Sequence, residues 1–60
     1  MDSKNSMILL LKSLEDDGYD RARIEKELDY SPNYIGQQLS KGGNDKIVKA
    51  LQRLLQKAKK

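Results

Sequence analysis

Pro32, the one proline in the chain, constrains the fold more than any other residue. Its ring drives Ser31 towards extended backbone, which ends any helix running into it. Ser31 followed by Pro32 is also a strong helix start. Serine can cap, and proline lacks only an N–H that the first turn leaves unbonded anyway. One helix is therefore expected to end near Leu28 and another to begin at Pro32, with about three residues between them.

Similar punctuation divides the rest of the chain. Asn5 or Ser6 is placed to cap a first helix, in which Met7, Leu10, Leu11 and Leu14 fall on one face. Asp16, Asp17 and Gly18 end it, with Gly18 suited to a left-handed position. Ile8 and Leu9 lie off that face, and either widen the apolar stripe or stay exposed. Asp20 caps a short second helix whose inward residues are Ala22 or the stem of Arg21, then Ile24 and Leu28. The third helix carries few apolar residues, Ile35 and Leu39 with Tyr34 at the flank, and Gly42-Gly43 closes it. Asn44 or Asp45 opens a fourth, striped by Ile47, Leu51, Leu54 and Ala58, widened by Val48 and Leu55, with Lys46, Lys49, Arg53 and Lys57 outside. Period-2 alternation is missing throughout. The expectation is a single all-α domain of four helices at about 6–16, 20–28, 32–41 and 45–58.

Size and composition narrow the chemistry. Sixty residues bury only about 60% of the unfolded surface, so one thin core is expected and no deep substrate pocket. Cysteine and histidine are both absent. That removes disulfides, zinc knuckles built on those ligands, and every catalytic pair that uses them. The expectation is no enzyme, no cofactor and no metal. Asp16 and Asp17 superficially suggest a metal site, but adjacent carboxylates at a helix end point apart, and helix termination is their expected role. The longest apolar run, Met7 to Leu11, is far short of the ~20 residues of a membrane span. No secretory signal pattern is read, and the expected compartment is the cytoplasm.

Charge is unevenly placed. Residues 1–20 carry two lysines against five carboxylates, −3; residues 21–40 balance three against three; residues 41–60 carry seven cations against Asp45, +6. A basic end on a small domain suits a polyanion partner, although a solvated helix with a basic tail explains the same charges.

Two short helices around a tight turn, the second weakly apolar and rich in amides, describe a helix-turn-helix. Ile24, Leu28, Tyr30, Ile35 and Leu39 are its expected anchors. Asn33, Gly36, Gln37 and Ser40 would share the free face, with Gly36 allowing close approach. The segment from Arg23 to Gly43, above all Tyr30-Ser31-Pro32-Asn33-Tyr34-Ile35, resembles the Cro/CI-type (lambda-repressor-like) helix-turn-helix family. The stretch Asn44 to Leu51 is similar to that family's next helix, so the resemblance covers roughly residues 7–55. Three features depart from it. Asp29 stands where the family's turn has glycine, which is tolerable because Asp enters left-handed geometry more readily than most residues. Glu25 replaces a small residue and is expected to press on the partner helix. No counterpart of the family's fifth helix is read, and with it go the usual dimer contacts. A second resemblance, to the DNA-binding end of resolvase and invertase recombinases, is opposed by the long fourth helix.

The resulting expectation is a sequence-specific binder of double-stranded DNA, a small bacterial or phage transcriptional regulator or repressor. Asn33, Gln37 and Ser40 would read bases. Arg21, Arg23, Lys26, Tyr34, Lys41, Asn44 and Lys46 would meet phosphates, with Tyr34 also a packing residue. The start of the fourth helix would offer free N–H groups to a phosphate. Glu25 and Glu27 must point away from DNA. A homodimer on DNA is expected, through Ile8 and Leu9 or Leu55. The competing reading is a protein-interaction module, an antitoxin or anti-repressor component, using the leucine-rich first helix.

Overall fold

The computed structural model describes residues 2–58. Four helices follow in order: α1, Ser3–Asp16; α2, Arg21–Glu27; α3, Tyr34–Ser40; and α4, Asp45–Ala58. No strand occurs among the described residues. The Cα radius of gyration is 10.4 Å, matching the ~10 Å expected of a close-packed chain this long. The two long helices pack on each other, and α2 packs on α3.

All four helices feed one core. Met7 and Leu14 come from α1, Ile24 from α2, Ile35 from α3, and Ile47, Leu51 and Leu54 from α4. The expected stripes of α1 and α4 are these buried faces, with Leu10, Leu11, Val48, Leu55 and Ala58 at their margins. Ile8 and Leu9 do not widen the core. They are 43% and 67% exposed.

Helix starts depart from the sequence expectation twice. The first helix begins at Ser3, not after Asn5 or Ser6, because the Asp2 carboxylate accepts the Lys4 N–H at 3.0 Å. The extra turn has a partner, since the Ser3 hydroxyl donates to the Asp45 carboxylate at the start of α4. The third helix begins at Tyr34, not Pro32. The Ser31 carbonyl instead closes a turn by accepting the Tyr34 N–H at 3.1 Å. Asn33 then takes φ +68°, so helical backbone cannot extend back to Pro32. The link between α2 and α3 is residues 28–33, longer than the turn expected.

Helix ends follow one pattern three times. The Gly18 N–H donates to Glu15 and that of Tyr19 to Leu14. The N–H groups of Asp29 and Tyr30 donate likewise to Lys26 and Glu25, and those of Gly42 and Gly43 to Leu39 and Gln38. This paired closure needs a left-handed residue just past the helix. Gly18, Asp29 and Gly42 supply it at φ +92°, +60° and +101°. Asp29 is the costly one, because its Cβ opposes that backbone and its charge lies at a helix C-terminus. Asp29→Gly should stabilise the domain by about 0.5–1 kcal/mol, a rise of about 2–8 °C in melting temperature. Thermal denaturation followed by circular dichroism checks this, and an unchanged or lower midpoint would contradict it.

Gly43 adds a different constraint. At φ +93° it lies against the first turn of α1, where a Cβ would overlap the Lys4 amide nitrogen and come within 2.7 Å of the Ser3 carbonyl carbon and 2.8 Å of the Lys4 Cα. The turn after α3 is thus pinned to the start of α1.

Candidate nucleic-acid interface

α3 is held by few contacts of its own. Ile35 is its one buried side chain, with Leu39 and Tyr34 packed at the edge of the core. Its sequence also leaves the N-terminus poorly capped, since Asn33 makes no side-chain capping bond. Glu25 of α2 supplies what is missing. Its side chain is 7% exposed, and Oε2 accepts the Ile35 N–H at 3.2 Å. The small-residue slot therefore does not hold a side chain merely pressing on α3. It holds a carboxylate that satisfies one of the orphan donors of that helix. The expected inward residues of α2 need correcting accordingly. Ala22 and Arg21 are exposed, and Glu25 takes the buried position beside Ile24. Sequence reading missed this because a glutamate in a helix defaults to a solvated face. The available signal was its coincidence with the slot facing the next helix.

The outward side of α3 is uncharged. Asn33 and Gln37 are exposed, and so is Ser40. Asn33 stands just before the helix, its carbonyl accepting the Gln37 N–H at 3.0 Å, but its left-handed backbone takes its side chain out of the i, i+4 helical spacing expected of it with Gln37. The Ser40 hydroxyl donates to the Gly36 carbonyl at 3.2 Å. Its proton is therefore engaged, which leaves its oxygen to act as an acceptor. Gln38, further round, is half-buried, and its amide oxygen lies 3.4 Å from Asn44 Nδ2.

All five expected cations, Arg21, Arg23, Lys26, Lys41 and Lys46, are exposed. They differ in how they are held. The Arg21 guanidinium lies over α3, with Nη1 3.6 Å from where a Cβ on Gly36 would stand. The Arg23 guanidinium sits 4.4 Å from the centre of the Tyr19 ring, a cation–π arrangement. Lys26 borders a groove with Ala22, Glu25, Asp29, Tyr30 and Pro32.

Two of the expected phosphate contacts also make contacts within the fold. Tyr34 is half-buried and packs its ring 4.8 Å from that of Tyr30, tilted by 50°. Burial, and then the neighbouring Tyr34, raise the Tyr30 phenol above its ordinary 10.0. Asn44 is half-buried, and its Oδ1 accepts the Lys46 N–H at 2.9 Å. That bond and the Asp45 carboxylate in the same turn oppose an anion at the N-terminus of α4. The Lys46 ammonium is the cation exposed there. Glu27, on the other side of α2, shares a groove with Leu28, Ala50, Leu54, Arg53 and Lys57.

No group of three or more acidic, cysteine or histidine side chains gathers into a metal site among the described residues. No helix among them is long and apolar enough to cross a membrane. Comparisons with protein-family models, with curated proteins and with solved structures returned no match.

Proposed function

We propose that this chain is a helix-turn-helix protein that binds double-stranded DNA by sequence, laying α3 in the major groove, as a small transcriptional regulator of a bacterium or phage. The observation that supports this best is the exposed, uncharged side of α3 that carries Gln37 and Ser40, with exposed Asn33 just before it, on a short helix anchored mainly by Ile35. An amide side chain matches the N6/N7 edge of adenine. Ser40 joins it as an acceptor. Arg23, Lys26, Lys41 and Lys46, with Arg21, supply the positive charge that holds phosphates. Glu25 does not oppose this, because its carboxylate is turned into the α2–α3 contact.

One such domain covers about half a site, and half-sites on one duplex face lie ~34 Å apart. Two copies would therefore act together, with Ile8 and Leu9 as the apolar surface between them. Selection of bound duplexes from a random pool at moderate salt tests the proposal. The expected product is one shared sequence with adenines, arranged as an inverted repeat. Recovery of unrelated sequences would overturn it.

The exposure of Ile8 and Leu9 also favours a second reading, a protein-interaction module. Ile8, but not Leu9, borders a groove of about 260 Å³ between α1 and α2, with Leu11, Lys12, Glu15, Tyr19, Arg21 and Ile24. A module of that kind would show no salt-dependent retention on DNA.

A further inference from the structure

We infer that Arg21 reads a guanine as a base-specific side chain, rather than serving only as a phosphate cation; the inference rests on the DNA-binding reading of α3. Arg21 is the first residue of α2, yet its guanidinium is laid against α3 at Gly36. Gly36 lies on the flank of α3 next to Ser40, one step round from Gln37, by the 100° that separates successive helical residues. A residue with a larger side chain at 36 would occupy the space that Nη1 now borders at 3.6 Å. A side chain from another helix thus stands beside the reading face of this one, at ordinary contact distance from position 36.

The chemistry that results is specific. Asn33 and Gln37 offer amides, which suit adenine, and no residue of the face itself offers a pair of parallel donors. A guanidinium does, in a rigid planar fork that matches O6 and N7 of guanine in the major groove. A lysine at the same place would keep the charge and lose the fork. The site read by this face is thus expected to place a guanine beside the adenine read by Gln37.

The test uses the duplex selected by the wild-type chain, with each guanine replaced in turn by 7-deazaguanine. This base keeps Watson–Crick pairing but lacks the N7 acceptor. At one guanine the replacement should weaken wild-type binding roughly 5- to 150-fold. Arg21→Lys should lose a similar factor on the natural duplex, keep the salt slope, and become indifferent to the replacement. Arg21→Ala should lose the factor and also reduce the salt slope by about 1. Circular dichroism of both variants confirms that the exposed substitution leaves the fold intact. If guanine preference and deaza sensitivity persist in Arg21→Lys, or if the selected site lacks guanine, the inference falls and the DNA-binding reading stands. If the wild-type chain selects no sequence, both fall.

Discussion

Gly43→Ala should bring the protein close to its unfolding midpoint at room temperature. Two costs combine at this position. At φ +93° a Cβ is strained whatever the space around it, by about 1–3 kcal/mol. Here the space is also taken, by the backbone of Ser3 and Lys4 at the start of α1. Backbone held in a helix and capped by Asp2 cannot turn aside as a flexible side chain would, and overpacking adds about 1–3 kcal/mol. The sum rivals the ~3–5 kcal/mol of stability expected for a domain this small. Gly18→Ala is the matched control, because Gly18 has φ +92° with nothing within 4 Å of its Cβ position. It should cost only the strain. Urea denaturation of the three proteins checks the pair of expectations, and equal losses in the two variants would mean that the contact with α1 is not rigid.

Glu25→Ala should cost about 2–3 kcal/mol, a value typical of losing a hydrogen bond to a charged group. The loss has a location. With the carboxylate gone, the Ile35 N–H has no acceptor, and Asn33 offers no side-chain cap in its place. α3 should fray from its N-terminus before the rest of the fold opens. Hydrogen exchange at the Ile35 amide should therefore accelerate more than at Leu51, deep in α4. Glu25→Gln keeps an oxygen in place and should lose about 1 kcal/mol or less. Uniform acceleration at both amides would indicate that Glu25 acts only by filling space.

The long helices were the readable part of this chain. Met7, Leu10, Leu11 and Leu14, like Ile47, Leu51 and Leu54, repeat at helical spacing, so their buried faces follow from burial of apolar stripes alone. Asp29 was legible for a different reason, since its left-handed backbone (φ +60°) is one that Asp tolerates. What sequence left hidden depends on partners distant in the chain. The start of the first helix at Ser3 follows from the Asp2 cap, a local signal that was passed over for Asn5 and Ser6. The contact of Ser3 with Asp45 is one that local capping rules do not include. Pro32 was read as a helix start, but a proline suits a turn equally well, and the left-handed Asn33 decided for the turn. Likewise, nothing in the order of residues placed the Arg21 guanidinium over Gly36 or the Glu25 carboxylate under Ile35. Of the candidate site, the amides and cations were legible as residue types. That Tyr34 also packs on Tyr30 and that Asn44 also caps α4 required the packing.

The orientation of α3 towards DNA is tested most directly by comparing Gln37→Ala with Lys46→Ala across salt concentrations. Gln37 is uncharged, exposed and on the proposed reading face. Its loss should cost about 1–3 kcal/mol on the selected duplex and leave binding to random duplex and the salt slope almost unchanged. Lys46 is exposed at the start of α4, outside the groove in this arrangement. Its loss should weaken all sequences about equally and reduce the salt slope by about 1 per protomer. Equal weakening of selected and random DNA by Gln37→Ala would contradict the assignment of α3 as the reading helix. Binding untouched by either substitution would contradict the DNA-binding account as a whole.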